Sequence, residues 1–265
     1  MNDYYLIVTY ILGGILGLCV GSFLNVVIYR VPEGMSLVSP PSHCPRCKYS
    51  LKWYDNIPIL SYIILGGKCR ACKTHISFRY TAVELTNTLL WLLSVYAYAK
   101  DNLPYAIICA LGCSILVCIF FIDLEHKIIP DRLQIILGLL GIAAIFFDKN
   151  TQWYSHLIGA AAGGTAFGLV AYFGSRKYGK EALGGGDIKL SIVSGLLLGW
   201  EKLLVAMLVA TIGGSIILLS LRAKKDQAKD TEYPFAPFIS AGIAFALFFG
   251  DKLIDAYMSL IRSGF

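Results

Sequence analysis

Long uncharged, mostly apolar stretches alternate with short charged segments along the whole chain. The first runs from Tyr4 to Tyr29 without a charged residue. A helix needs about 20 mainly apolar residues to cross roughly 30 Å of hydrocarbon. The pattern therefore predicts about eight membrane-spanning helices. The other seven stretches are 85–99, 103–122, 133–147, 151–174, 190–200, 203–221 and 233–250.

The individual stretches differ in what they predict. The first is too long for a secretory signal peptide and no basic residue precedes it, so we expect a retained helix. The stretches 133–147 and 190–200 are short, with charged residues beside them, as in helices that line a wet cavity. Small residues at 159–164 predict close packing of the helix that carries them.

Composition narrows the class of protein. The chain has 265 residues, of which 57% are hydrophobic and 15% charged, and its mean hydropathy is +0.66. Soluble domains carry about 25% charged residues. With 26 glycines and nine prolines, the chain is neither collagenous nor low-complexity. These values exclude an ordinary soluble globule and indicate an all-α polytopic membrane protein.

Basic residues are distributed unevenly between the connecting segments. Eighteen of the 23 lysines and arginines fall in alternate segments, namely 30–80, 123–132, 175–189 and 222–232. Because basic loops stay in the cytoplasm, these segments should be cytoplasmic and both termini external. Asp123 and Asp187 then lie at cytoplasmic ends of their helices.

Segment 30–80 combines eight basic residues with two acidic ones, a net charge of +6. This charge suits contact with anionic lipid headgroups, although it can equally serve only to set topology. No aromatic-plus-basic recognition pattern accompanies it, so we expect no nucleic-acid partner.

Two C-x2-C pairs lie in that segment. Cys44 and Cys47 form the first pair, and Cys69 and Cys72 form the second after 21 intervening residues. Such knuckles let four thiolates bind one zinc ion tetrahedrally, and four protein ligands make the site structural. Two disulfides or a redox pair are the alternatives, but disulfides disagree with a cytoplasmic location. The sequence thus predicts a small cytoplasmic zinc-knuckle domain inserted between the first two transmembrane helices.

We assign no chemical role to the two histidines beside the knuckles or to the four cysteines outside them. His43 and His75 flank the knuckles as spare side chains. Free cysteine inside an apolar helix is a small buried hydrophobe. This interpretation applies to Cys19, Cys109, Cys113 and Cys118.

Two aspartates stand at the ends of apolar stretches. Asp123 follows a stretch of 20 uncharged residues, and Asp187 follows three glycines. Taken singly, Asp123 can be a helix-end carboxylate in water and Asp187 a helix N-cap. Taken together, two adjacent carboxylates share one proton, and can activate water on one side of an amide while polarising its carbonyl. The pair predicts peptide hydrolysis without a covalent intermediate.

Neighbouring residues offer support to this pair. Gly184 and Gly186 lack Cβ atoms, so backbone or substrate can approach Asp187 closely, and no Gly-Lys-Ser/Thr follows to make a phosphate loop. Glu84 is either a third carboxylate in the cavity or a partner for Arg79. Lys189 either faces headgroups or anchors its loop.

Six segments in order resemble the type IV prepilin peptidases, membrane aspartic proteases with a GxGD motif. They are GSFLNVVIYRVP from Gly21, WYDNIPILSY between the cysteine pairs, FRYTAVE, FIDLEHKIIPD, GGGDIK and YPFAPF. One departure is Thr81, where many members have proline. The resemblance spans almost the whole chain and leaves both aspartates in place.

The resemblance implies an activity and its location. Such enzymes cut the leader peptide from type IV prepilins and pseudopilins at the cytoplasmic face of a prokaryotic plasma membrane. Asp123 and Asp187 match the catalytic pair. By analogy with related GxGD proteases, Pro234 and Pro237 would shape a substrate groove.

The resemblance also implies a division of the chain. Many members methylate the new N-terminus with S-adenosylmethionine, an activity associated with the N-terminal cytoplasmic region. Residues 1–30 would then form the first helix, 31–80 the zinc-binding and methyltransferase part, and 81–265 the peptidase domain.

Two other functions remain open at this point. A transporter or proton channel would also use intramembrane carboxylates and short broken helices. An internal inverted repeat would favour transport, and the sequence has no visible one. A zinc-dependent scaffold without catalysis is the third possibility.

Overall fold

Helices account for nearly all regular structure in the computed structural model, which describes residues 3–179, 183–224 and 233–263. Within these ranges the only β-type pairings are two isolated antiparallel bridges, His43 with Ser50 and Lys68 with His75. The helices are α1 (Asp3–Arg30), α2 (Leu60–Ile64), α3 (Arg79–Ser94), α4 (Leu103–His126), α5 (Asp131–Phe147), α6 (Trp153–Tyr178), α7 (Gly185–Leu198), α8 (Trp200–Lys224) and α9 (Ala236–Ser263). A 3₁₀ turn, Trp53–Asn56, precedes α2, and a π turn, Val95–Ala99, extends α3.

Each of the eight apolar stretches lies on its own helix, so the all-α prediction is confirmed. Five of the described helices are long and apolar enough to cross a membrane on length and composition: α1, α4, α6, α8 and α9. Helices α5 and α7 have 17 and 14 residues, as expected for the two short stretches. Their partly polar ends carry Asp131 and Asp187.

The chain divides into two compact units, Met1–Cys118 and Ile119–Phe265, and the division falls inside α4. This division is one of geometry alone. The functional boundary expected between residues 80 and 81 therefore stays a prediction.

In the first unit, α1 packs against α3 through glycines and a buried polar network. A Cβ on Gly17 would lie 3.0 Å from the Thr88 Cα atom, so only glycine permits this approach. The Asn87 amide donates to the Gly17 carbonyl (2.8 Å) and accepts from the Ser114 hydroxyl (2.8 Å). The Trp91 indole donates to the same hydroxyl at 2.9 Å. Because these bonds link α1, α3 and α4 away from water, they hold the helices in one register.

In the second unit, α6 and α7 approach each other through small residues. A Cβ on Gly195 would collide with the backbone of Gly159, and one on Gly163 would lie 2.6 Å from the Ser191 carbonyl oxygen. The Ser191 hydroxyl donates to the Gly163 carbonyl at 3.0 Å. The close packing expected from residues 159–164 is confirmed, and it determines where α7 places its first turn.

A buried ionic cluster joins the other ends of these helices. Lys202 on α8 lies 3.1 Å from the Asp251 carboxylate and 3.8 Å from the Asp148 carboxylate. His156 is fully buried, with Nδ1 2.9 Å from the Leu196 carbonyl oxygen of α7. A buried lysine needs such partners because an unpaired charge is costly away from water. No local pattern in the sequence predicts this cluster, because its members lie far apart along the chain.

Candidate active site and metal centre

The four predicted cysteines converge in the first unit. The Cys44 and Cys72 sulfurs lie 3.9 Å apart, as do those of Cys47 and Cys69. All four sulfurs lie within 4.8 Å of one another. Zn–S bonds of about 2.3 Å in a tetrahedron require sulfurs roughly 3.8 Å apart, so the spacing fits a zinc-sized ion. Elsewhere in the described ranges no other group of three or more His, Cys, Asp or Glu side chains is close enough to share a metal.

Local turns create the first knuckle. The Cys44 N–H donates to the Tyr49 carbonyl at 2.9 Å, and the Lys48 N–H donates back to the Cys44 carbonyl at 2.9 Å. Lys48 takes a positive φ of 59°, which lets the chain reverse directly after the second cysteine. These bonds direct both sulfurs of the pair to one side.

The second knuckle repeats the same arrangement. The Cys69 N–H donates to the Thr74 carbonyl (2.8 Å), and Lys73 takes a φ of 57°. Hydrogen bonding with the Thr74 side chain and backbone lowers the pKa of the Cys72 thiol to about 6, whereas the neighbouring thiols help to raise the pKa of Cys47, so the four thiols share their protons unequally. His43 lies against the Pro41 carbonyl at 3.1 Å, outside the sulfur cluster.

An ion pair that the sequence did not reveal braces the segment between the knuckles. Arg70 Nε lies 2.7 Å from the buried Asp55 Oδ1, and the Lys52 N–H donates to Asp55 Oδ2 at 3.2 Å. Burial opposes ionisation of Asp55, but the bond from Arg70 and that from Lys52 outweigh it and lower the pKa of this carboxyl group. Arg70 therefore ties residues 52–56 to the second knuckle.

Asp123 occupies a buried position near the end of α4. Only 6% of its surface is exposed, so the alternative of a helix-end carboxylate in water is wrong. Its Oδ2 atom accepts a hydrogen bond of 3.1 Å from the N–H of Ala236, the first residue of α9. The N-terminal N–H groups of a helix lack partners within it and favour negative charge, so Asp123 acts as a cap for α9.

Asp187 lies in the first turn of α7 and is half-buried. The alternative of a helix N-cap is wrong, because Gly184 occupies that position and accepts the Asp187 N–H at 3.0 Å. The Asp187 carboxylate lies close enough to Asp123 for the two to interact electrostatically. Its Oδ1 atom is buried with no hydrogen-bond partner among the described residues. The second unit therefore places the two predicted carboxylates within electrostatic range of each other, and Asp187 Oδ1 has no described partner.

The glycines before Asp187 permit this arrangement. A Cβ on Gly184 would lie 3.2 Å from Asp187 Oδ2, and one on Gly186 would lie 3.1 Å from the side chain of Ile129. Larger residues would displace the carboxylate or the loop that carries Ile129. Lys189 makes a 2.8 Å ion pair with Asp131, so it anchors its own turn to the start of α5.

The remaining predicted residues separate into two groups. Pro234 lies in the extended segment before α9, and Pro237 lies in its first turn, where a missing N–H is tolerated. Both thus flank Ala236, the donor to Asp123. Glu84 belongs to the first unit, where its Oε2 atom accepts the Ile59 N–H at 2.7 Å. A share for Glu84 in the aspartate site remains a prediction.

Family comparisons cover most of the chain. Residues 15–98 match the model for the bacterial peptidase A24 N-terminal domain, and residues 110–219 match that of the type IV leader peptidase family. No solved structure matches significantly.

Curated relatives share one printed name, prepilin leader peptidase/N-methyltransferase. The protein from Pseudomonas aeruginosa is 32% identical over 92% of this chain and 91% of its own length. That from Bacillus subtilis is 33% identical over 93% of this chain and 96% of its own length. A relative from Myxococcus xanthus is 42% identical over 77% of this chain, and the match spans 60% of that longer protein.

Proposed function

The chain belongs to the type IV leader peptidase family, and we propose that it is a multi-pass membrane aspartic endopeptidase that removes the leader of type IV prepilins or pseudopilins. The name of its relatives extends the proposal to N-methylation of the freed N-terminus with S-adenosylmethionine. The observation that supports the peptidase activity is that the buried Asp123 and the half-buried Asp187 lie within electrostatic range of each other in the second unit.

We assign the resting proton to Asp187, and two contacts support this choice. Asp123 accepts the Ala236 N–H at the positive end of α9, which stabilises its ionised form. Asp187 has a buried oxygen without a partner, and a protonated carboxyl group there can donate to a substrate carbonyl. Asp123 is therefore the base and Asp187 the acid at the start of the reaction.

The hydrolysis then follows from this assignment. Asp123 takes a proton from water as the hydroxide oxygen bonds to the scissile carbonyl carbon, while Asp187 gives its proton to the carbonyl oxygen. When the C–N bond breaks, Asp123 passes its proton to the leaving nitrogen and Asp187 recovers one from the diol. Both carboxyl groups return to their starting forms, so no covalent enzyme intermediate is needed.

The cysteine tetrad holds one structural zinc ion in this proposal. Cys44, Cys47, Cys69 and Cys72 supply four thiolates at suitable spacing, which leaves no open coordination position. Zinc bound there supplies four Zn–S bonds that join the two knuckles. Residues 31–80 then form the methyltransferase part and 81–265 the peptidase part.

The methyl donor has no assigned ligands in this chain. The described residues of the first unit form no glycine-rich loop of the kind that cradles nucleotides, so no step is derived through S-adenosylmethionine. The methylation half rests on the relatives' shared name.

The basic segments support a cytoplasmic position for the zinc region and the aspartates. A prepilin leader is basic and an apolar helix follows it, so the junction would meet the carboxylates at the inner boundary of the bilayer. A transporter or proton channel is not favoured, because the relatives over the whole chain are named as peptidases.

One assay separates the two activities. Detergent-purified protein is incubated with a prepilin and deuterated-methyl S-adenosylmethionine, and the product's N-terminus is read by mass spectrometry. We expect leader removal plus one labelled methyl group. A cleaved product without the labelled methyl group would contradict the proposed N-methylation. A prepilin that keeps its leader would contradict the proposed peptidase activity as well.

A further inference from the structure

An apolar surface of the zinc region has no covering residues within the described protein. Helix α2 exposes Leu60, Ile63 and Ile64, at 54%, 67% and 71% of their surfaces. These positions are spaced i, i+3 and i+4, so they lie on one face of the helix. Trp53 and Phe78 are also exposed, at 80% and 61%. We call the three exposed residues of helix α2, Leu60, Ile63 and Ile64, the α2 surface.

The other face of α2 is packed inward. The Tyr62 hydroxyl donates to the Ile76 carbonyl at 3.4 Å, and Gly67 lies so near the Tyr62 ring that a Cβ would be 2.9 Å from its oxygen. The Ser61 hydroxyl donates to the Ile57 carbonyl at 2.7 Å. Because Tyr62 holds one side of the helix against Gly67 and Ile76, the exposed face is presented outward.

A hydrogen bond to α3 fixes where along that helix the α2 surface lies. The Ile59 N–H donates to Glu84 Oε2 at 2.7 Å, immediately before α2 begins. Glu84 is five residues inside α3, about 7.5 Å along its axis from Arg79. It directly precedes the uncharged stretch that starts at Leu85. Gly21 of α1 packs on Glu84, so the start of α2 lies beside the candidate membrane helix α1 and at the polar end of the apolar part of α3.

The backbone at this bond is strained. Ile59 has a φ of 60° and a ψ of −48°, a conformation that β-branched residues rarely adopt. Such strain persists only where surrounding bonds enforce it. The buried Glu84 carboxylate provides that bond, and Glu84 is therefore a positioning residue for α2.

Charge selects the occupant of the α2 surface. Exposed Lys52 and Lys68 flank it in a segment whose net charge is +6. Anionic headgroups attract such lysines, and tryptophan prefers the headgroup level. A basic prepilin leader would be repelled by the same lysines, so lipid is favoured over substrate.

We propose that the α2 surface lies in the headgroup and upper acyl region of the membrane, as a short interfacial helix that holds the zinc region on an anionic lipid surface. This inference goes beyond the proposed function and does not depend on it. It predicts that Leu60, Ile63 and Ile64 touch acyl chains while the two knuckles stay in water.

Photo-cross-linking of the full chain tests this placement. The cross-linker p-benzoylphenylalanine replaces Ile63, and the protein is irradiated in nanodiscs of phosphatidylethanolamine and phosphatidylglycerol. Lys48, exposed on the first knuckle, is the matched negative position, and Leu12, exposed on α1, is the positive one. We expect position 63 to form at least about tenfold more lipid adduct than position 48, measured by intact-protein mass spectrometry, because only position 63 contacts acyl chains.

Three other results would overturn the proposal. Equal lipid adduct at positions 63 and 48 would place α2 in water. Transfer of the position-63 adduct from lipid to an added prepilin segment would make the surface a substrate site. Unchanged adduct after phosphatidylcholine replaces phosphatidylglycerol would remove the role of anionic headgroups.

Discussion

The cysteine tetrad and the aspartate pair both bring distant side chains to one point, but they do so by different means. The tetrad lies within 29 residues, and each knuckle is formed by its own turn bonds around Lys48 and Lys73. The aspartates are 64 residues apart, and the ends of α4, α7 and α9 must meet to join them. Local turns can be read from spacing, whereas helix convergence cannot.

The two sites should therefore fail in different ways. The tetrad depends on its ligands and is insensitive to helix packing elsewhere. The aspartate site depends both on its own carboxylates and on glycines far along the helices, such as Gly195. Four experiments can break or sharpen this contrast.

The largest effect is expected for Asp123→Asn and Asp187→Asn. Either change removes one member of the proton-sharing pair, so leader cleavage should fall by about a thousandfold or more. The measurement is the initial rate of prepilin cleavage by purified, membrane-inserted protein. Asp131→Asn is the matched control, since this exposed acid binds Lys189 and should retain cleavage. Full cleavage by either dyad variant would contradict the mechanism.

The next effect concerns the metal. Cys44→Ser combined with Cys72→Ser removes two of four thiolates, so metal content should fall from about one zinc per chain to none. Elemental analysis of purified protein measures this, with Cys19→Ser in α1 as the control.

Brief chelator treatment should leave the rate of leader cleavage within about twofold, because no metal takes part in the proposed hydrolysis. Immediate chelator inhibition would indicate a metalloprotease.

A smaller effect is expected from a change in helix packing that leaves both aspartates in place. Gly195→Ala places a Cβ against the Gly159 backbone and should separate α6 from α7, shifting Asp187. Such overpacking costs about 1–3 kcal/mol of stability, and misplacement of a catalytic group lowers kcat about ten- to a hundredfold. Thermal unfolding and kcat are measured beside Gly168→Ala, a change into open space on the partner helix α6. If the two variants have the same unfolding temperature and the same kcat, the packing of α6 on α7 does not position Asp187.

The smallest effect concerns the single N–H donated to Asp123. Ala236→Pro removes this donor at the first position of α9, where proline is well tolerated. Without the Ala236 N–H, the Asp123 carboxylate binds a proton more readily. As the pH falls, activity should therefore disappear at a higher pH than in the unchanged protein. We expect the acidic limb of the pH–rate profile to move up by about one unit, relative to Ala236→Gly, which keeps the donor. An acidic limb at the same pH in both variants would contradict the assignment of Asp123 as the ionised base.

Much of the fold was predictable because apolar length is a local property. Each of the eight uncharged stretches is a helix, and the short ones at α5 and α7 carry the polar ends that were expected. The tetrad was equally accessible, since C-x2-C spacing places two sulfurs on one turn. Neither result needed knowledge of how helices pack.

Other features depended on contacts between remote residues and could not be read from the chain. Lys202 and Asp148 look like ordinary loop charges until helix ends bury them together. The bond between the Glu84 carboxylate and the Ile59 backbone N–H joins residues 25 positions apart, and no local pattern predicted it. Ala236 carries no functional side chain, and its role comes from a backbone N–H that only the position of α9 directs at Asp123.

The amino-acid sequence by itself determined the helical membrane class, the metal-binding tetrad and the identity of the two acidic residues, because hydrophobic length and short-range spacing act within a few turns of chain. Only the tertiary structure decided that those acids lie within electrostatic range of each other, that α9 caps the buried Asp123 and that α2 turns an apolar face outward. Each of these results depends on where separate helices end relative to one another, and packing of small residues and buried polar bonds sets those positions.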